Sequence, residues 1–180
     1  MKIIGGKFKG RVIEAPRGLL SRPPLAIIRE SVFNILGQSL DGRTVLDLFA
    51  GSGSLGFESL SRGALRAHFV DASPRSVHMM ERNAEALGLT ASCVIVRDDA
   101  ARYLRSWDGE PFDVIFIDPP FLSGKAAPAV AALATSAAVS AQTTAVIRIH
   151  RRESLDLPAP LRTFKERKFG ENVVLFVNKE

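Results

Sequence analysis

The chain is poor in the residues that would staple, metallate or anchor it. Among 180 residues there is one cysteine, Cys93, so no internal disulfide can form. A reducing, cytoplasmic setting is expected. Cys93 lies in the apolar run Cys93-Val94-Ile95-Val96 and reads as a buried structural thiol rather than a nucleophile. The three histidines, His68, His78 and His150, are scattered without zinc-ligand spacing, so no metal is expected. No run of about 18 uncharged apolar residues occurs, and no membrane span is expected. The opening Met1-Lys2-Ile3-Ile4-Gly5-Gly6-Lys7 lacks the apolar core of a signal peptide. There is no G-x-S-x-G elbow, no phosphate-loop Lys-Ser/Thr and no internal repeat. Trp107, beside Asp108-Gly109, reads as a loop anchor.

What is present fits one domain over residues 1 to 180, with 46% hydrophobic residues and a mean hydropathy of +0.10. The net charge of +5 is unevenly placed. Lys2, Lys7, Lys9, Arg11, Arg17, Arg22 and Arg29 face only Glu14 and Glu30 in residues 1 to 40, and the remainder sums to zero. Positive charge gathered beside a neutral body points to a polyanion-binding arm. Residues 1 to 24 read as that arm: a β-hairpin over 1 to 15 turning near Lys7-Phe8-Lys9-Gly10, then a Pro/Gly/Arg-rich loop to residue 24.

Beyond the arm, helices and strands alternate. Leu25, Ile28, Val32, Ile35 and Leu36 form one helical stripe stopped by Gly37. Strands are predicted over 44–49, 66–71, 92–97, 113–117 and 144–149. Helices are predicted over 54–62, 74–87 and 100–105, and in the Ala-rich stretch 126–141, where Val130, Leu133 and Ala137 have helical spacing. Ser73-Pro74 reads as an N-cap followed by proline at the first helical position. Leu161 to Phe164 and Val173 to Val177, with Gly170 between them, are expected to pair antiparallel. This pattern predicts an α/β fold with a mostly parallel sheet.

The chemistry gathers at strand ends. Asp118-Pro119-Pro120-Phe121 follows the buried run Val114-Ile115-Phe116-Ile117, at the carboxyl end of a strand, where open α/β sheets bind ligands. Asp118 supplies a charged acceptor and the proline carbonyls supply further acceptors on a rigid backbone. Phe121 supplies a stacking face. Gly51, Gly53 and Gly56 spell G-x-G-x-x-G, and Asp71 follows twenty residues after Gly51, which also satisfies the dinucleotide fingerprint. Asp47 either caps this glycine turn or faces a cationic ligand; a pyrophosphate there would meet a carboxylate. Asp98-Asp99-Ala100 closes the third strand, where Asp99 offers an acceptor to an amine or an N-cap to a helix. Acids at Asp47, Asp71, Asp99 and Asp118 thus stand at four successive strand ends. The residues alone leave an NAD-dependent oxidoreductase open.

Several segments together resemble the bacterial 16S ribosomal RNA guanine-N2 methyltransferases of the RsmD type, within the class I S-adenosylmethionine-dependent superfamily. They are Ile3-Ile4-Gly5-Gly6-Lys7-Phe8-Lys9-Gly10-Arg11, Arg22-Pro23, Arg29-Glu30-Ser31-Val32-Phe33-Asn34-Ile35-Leu36, Leu46-Asp47-Leu48-Phe49-Ala50-Gly51-Ser52-Gly53 and Asp118-Pro119-Pro120-Phe121. The resemblance covers nearly the whole chain. It implies a Rossmann-like, seven-stranded sheet with an N-terminal hairpin extension that helps hold RNA. It implies S-adenosylmethionine as cofactor, held by Asp47, Phe49, Ala50, Gly51, Gly53, Asp71, Asp99 and Ala100. It implies catalysis by Asp118, Pro119, Pro120 and Phe121, and contact by Lys7, Lys9, Arg11, Arg17, Arg22 and Arg29 with 16S rRNA, free or in an assembling small subunit. A monomer is expected. Two departures stand out: Pro24-Leu25-Ala26-Ile27 where relatives are polar, and Asp71 where many carry Glu. Beside this reading stand amine methylation of adenine or cytosine in DNA and, from the first departure, an RNA-binding protein without activity.

Overall fold

The computed structural model describes residues 1–15 and 23–180, with side chains described for 1–15 and 26–180. Arg17 and Arg22 lie outside the described residues, as does most of the loop expected over 16–24. Helix α1 (Pro23–Leu36) begins two residues before Leu25, as proline is accommodated in a first helical turn.

Strands β1 (Thr44–Leu48), β2 (Arg66–Asp71), β3 (Cys93–Arg97), β4 (Val114–Ile117) and β5 (Thr144–His150) run parallel. Strands β6 (Leu161–Phe169) and β7 (Asn172–Lys179) pair antiparallel around Gly170, whose φ is 58°. β7 also pairs antiparallel with β5. The sheet order is β3-β2-β1-β4-β5-β7-β6, the architecture expected from the alternating pattern.

Helices cover both faces. α1, α2 (Ser54–Ser61) and α3 (Pro74–Leu87) bury Phe33, Phe57 and Met80 on one face. α4 (Ala100–Ser106) and α5 (Ala126–Thr135) bury Leu104, Val130 and Leu133 on the other. Both caps of α3 match expectation: Ser73 Oγ accepts from Ser76 N, and Gly88 closes the helix with φ 69°. The Ala-rich helix is shorter than predicted. It stops at Thr135, and Ser136 turns aside to donate to the Leu104 carbonyl and accept from Ala138 N, leaving Ala137 exposed. Cys93 is half-buried rather than buried, because β3 is an edge strand. Trp107 packs among His68, Tyr103 and Phe112 and donates to the Glu110 carbonyl, anchoring its loop.

The N-terminal extension is a short antiparallel turn with one bridge, Lys2 to Val12, flanked by Ile3 N to Arg11 O and Ile13 N to Met1 O. It is bolted to the body. Ile4 N donates to Glu58, Phe8 N donates to Ser61 Oγ, and that hydroxyl donates to Gly5 O. Gly6 has φ 72° and lies so close to α2 that a Cβ would sit 1.8 Å from the Ser61 carbonyl oxygen. Further along, Asn83 of α3 accepts from Glu14 N and donates to both Glu14 O and Ser52 O.

Candidate active site

From β1 the chain winds through β2 to β3 on one side, and β4 then returns to the opposite side of β1. The strand order reverses between β1 and β4, and the crevice outside the carboxyl ends of such a pair is the ligand site of open α/β sheets. Both the glycine turn after β1 and the Asp-Pro-Pro-Phe loop after β4 open onto this crevice.

A cavity of about 840 Å³ lies there. Phe49, Ala50, Gly51, Asp71, Asp99, Ala100, Asp118, Pro119, Pro120 and Phe121 all line it. The sequence patterns missed Ser52, Ser54, Leu55, Ser73, Ser76, Asp98 and Arg148, which also line it. Phe49 and Leu122 adopt positive φ, 60° and 55°. Such strained residues collect at functional sites, and these two flank the glycine turn and the Phe121 loop.

Asp47 and Gly53 are not on the cavity wall. Asp47, expected to face a cationic ligand if it did not cap the turn, takes the capping role. It is 1% exposed, and its Oδ2 accepts from Gly56 N at 2.9 Å. The two-residue strand period sets this: Asp47 shares the α2 side of β1 with Val45. Burial pushes its carboxyl well above the usual range, opposed by the Gly56 bond and reinforced by Asp118 and Asp71. A carboxylate on the first turn of α2 occupies a donor that a pyrophosphate would need, which disfavours the dinucleotide reading.

The three glycines serve different ends. A Cβ on Gly53 would lie 2.6 Å from the Phe57 ring, and one on Gly56 would lie 2.2 Å from the Phe69 ring, so both are packing glycines. Gly51 faces open space, with only the Phe49 carbonyl oxygen at 3.9 Å, and so permits close approach of a ligand.

Asp71 is fixed by the backbone: Oδ2 accepts from Gly51 N and Oδ1 from Ser73 N, each at 2.8 Å. A carboxylate has about four acceptor positions, so two remain for a ligand. Asp99 caps α4, accepting from Arg102 N at 3.0 Å, and also lines the cavity.

At the opposite wall, Arg148 of β5 places Nε and Nη2 2.5 Å from Asp118 Oδ1. Burial raises the Asp118 carboxyl, and Arg148 counteracts it. Arg148 also stands over Phe121, 4.6 Å from the ring centroid, and His150 meets that ring edge-on. The Pro120 carbonyl accepts from Ser123 Oγ, which leaves the Pro119 carbonyl as the free acceptor of the pair.

The proposed RNA contacts divide. Lys7, Lys9 and Arg11 are exposed on the extension, and Arg11 also donates to the Ala86 carbonyl. Arg29 is a correction: it is 6% exposed, donates to Lys2 O, and lies 3.8 Å from the fully buried Glu58, which also pairs with Arg62. Its burial lowers its proton affinity despite Glu58. It anchors the extension and also lines the cavity, rather than standing exposed on the arm. Among the described residues, no group of three or more His, Cys, Asp or Glu is placed to hold a metal, and no helix is long and apolar enough to cross a membrane.

Known proteins resemble this chain in sequence and fold. The family model for conserved hypothetical protein 95 matches residues 1–178. YlbH of Bacillus subtilis, a candidate rRNA methyltransferase, is 40% identical over 127 residues, 69% of each chain. Ribosomal RNA small subunit methyltransferase D of Haemophilus influenzae is 28% identical over 172 residues, 94% of this chain and 89% of its own. The solved structure of yhhF, a candidate methyltransferase of Escherichia coli, superposes with a TM-score of 0.87 at 27% identity, covering 100% of this chain and 98% of its own. Cavity, strand order and sequence agree: the chain belongs to the conserved hypothetical protein 95 family, that of the RsmD-type methyltransferases.

Proposed function

We propose that this protein transfers a methyl group from S-adenosylmethionine to the exocyclic N2 amine of a guanine in 16S ribosomal RNA, free or in an assembling small subunit. The observation that carries the reading is the convergence, in one cavity, of the Gly51–Asp71–Asp99 wall with the Asp118-Pro119-Pro120-Phe121 loop.

The residues fit the cofactor. Gly51 admits close approach, Asp71 keeps acceptor positions for vicinal hydroxyls, and Asp98 and Asp99 give the rim the acceptors that an adenine amine or an ammonium group requires. When bound, the cofactor supplies an electrophilic methyl on a sulfonium. The protein's own part is to hold the amine. Both Arg148 contacts go to Asp118 Oδ1, so Oδ2 accepts one N–H and the Pro119 carbonyl accepts the other. These bonds localise a lone pair otherwise conjugated with the ring. The amine so held would present that pair to the methyl that the bound cofactor would supply, and Asp118 or water would take the proton the nitrogen sheds. Alignment of this in-line displacement supplies much of the rate. Phe121 stacks on the base, which has left its helix to reach the cavity. Lys7, Lys9 and Arg11 contact phosphates, and Arg17 and Arg22 are proposed to extend that arm. The protein acts as a monomer in the cytoplasm.

Asp118→Ala tests the reading. Calorimetry with S-adenosylhomocysteine should show binding retained, while methylation of 16S rRNA falls by about 10²-fold or more. Wild-type turnover in this variant would remove Asp118 from the mechanism. Unchanged N2-methylguanosine in rRNA from a deletion strain would remove the substrate assignment.

A further inference from the structure

We infer that Arg148 is a positioning residue of the methyl-transfer site, holding Asp118 by one carboxylate oxygen and Phe121 by one ring face so that the other oxygen and the rest of the ring meet the target base. The inference rests on the function proposed above.

The geometry is specific. Asp118 follows Ile117, and Ile117 pairs with Ile147 across β4 and β5, so Arg148 lies directly beside Asp118 at the strand ends. Parity puts both on the α1 side of the sheet, with Phe116 and Val146. The guanidinium does not fork across the carboxylate. Nε and Nη2 converge on Oδ1, and no hydrogen bond to Oδ2 occurs among the described residues. Nη1 donates to Asn172 Oδ1 at 2.9 Å, and Asn172 Nδ2 donates to the Phe169 carbonyl, which fixes the amide with its oxygen toward Arg148. The cation is therefore held from three directions. Its plane covers part of Phe121, whose remaining 36% exposure is the surface left for a base.

Arg148 also settles a charge problem. Asp47 faces Asp118 from β1, and Asp71, Asp98 and Asp99 share the cavity; on the positive side, Lys125 and the buried Arg29 also line it. Burial favours the protonated form of Asp118, and the charge and hydrogen bond of Arg148 oppose it. A protonated Asp118 would donate rather than accept. Arg148, in direct contact, keeps it an acceptor.

The test is a carbon-detected NMR titration of the Asp118 side-chain carboxyl in the wild type, Arg148→Ala and Arg148→Lys. Loss of the guanidinium should raise the Asp118 midpoint by about one pH unit or more, and lysine should return most of that rise. In parallel, Arg148→Ala should lower kcat about 10- to 100-fold, with S-adenosylhomocysteine affinity within about twofold of wild type, and move the acid limb of the kcat profile to higher pH. Asn172→Ala, a milder change, should move midpoint and kcat in the same directions by less. An Asp118 midpoint that stays put in Arg148→Ala overturns the inference, whether or not rRNA is the substrate. Failure of the wild type to methylate 16S rRNA counts against the proposed function alone, because the titration does not depend on turnover.

Discussion

Arg148 and Asp118 stand side by side at the carboxyl ends of β5 and β4, with two guanidinium nitrogens 2.5 Å from the same carboxylate oxygen. The pair joins the Asp118-Pro119-Pro120-Phe121 loop to β5, which pairs with β7. It also explains why Phe121 stays in place without being buried: the same guanidinium covers it.

Phe121→Ala removes the stacking face and frees Arg148. Base stacking on an aromatic is worth about 1–3 kcal/mol. We expect KM for rRNA to rise about 5- to 100-fold, with S-adenosylhomocysteine affinity unchanged, and Phe121→Tyr to stay near wild type. Equal kinetics for alanine and tyrosine would show that the ring does not stack on the substrate.

Gly56→Ala and Gly51→Ala should fail in different ways. At Gly56 a Cβ would sit 2.2 Å from the Phe69 ring. Overpacking of about 1–3 kcal/mol should lower Tm by about 2–10 °C. At Gly51 there is room, but φ is 58° and the residue lines the cavity. We expect a smaller fall in Tm and a marked loss of S-adenosylhomocysteine affinity, measured by calorimetry. A reversed pattern would contradict the division into packing and ligand-facing glycines.

On the extension, Lys7→Ala, Lys9→Ala and Arg11→Ala should each reduce the slope of log K against log salt for RNA binding by about 0.7–0.9. Arg29→Ala should instead lower Tm, because it strips a buried carboxylate, Glu58, of one cation. A salt slope that changes for Arg29 and not for the three exposed residues would reverse the assignment.

Burial pushes the Cys93 thiol up to about 12. Alkylation needs the thiolate. Iodoacetamide at pH 8 should therefore react with the folded protein far more slowly than with the urea-unfolded chain, and the folded rate should keep rising through pH 10. The sign for stability follows. Unfolded thiol ionises near pH 8.5 and folded thiol does not, so stability declines as pH rises above that point. A folded rate that levels off near pH 9 would contradict this.

Most of the scaffold was legible because β1, β2 and β4 are largely apolar runs closed by glycine, proline or acid, β5 is a largely apolar run, and α3 carries both of its caps in sequence. The acid rim was legible for the same reason, since strand ends follow from strands. Three features were not. Arg148 lies inside the run Thr144–His150; its only signal is a lone cation interrupting apolar residues, and its partner is thirty positions away. Arg29 looked like part of a basic arm because charge counts cannot see Glu58 beneath it. The end of α5 depends on Ser136 finding the Leu104 carbonyl, a tertiary bond that no local preference encodes. The Asp47 alternatives could have been narrowed, since strand parity alone turns it toward α2.

One buried side chain ties the N-terminal extension to the glycine turn after β1. Asn83 gives one amide hydrogen to Glu14 on the extension and the other to Ser52 in the turn. Its oxygen is held by Glu14 N. Both amide hydrogens are used, so the extension and the turn share a joint, and leaving one buried partner unmet costs about 1–3 kcal/mol. A change that displaces Glu14 therefore disturbs the same amide that holds Ser52, which lines the cavity beside Gly51.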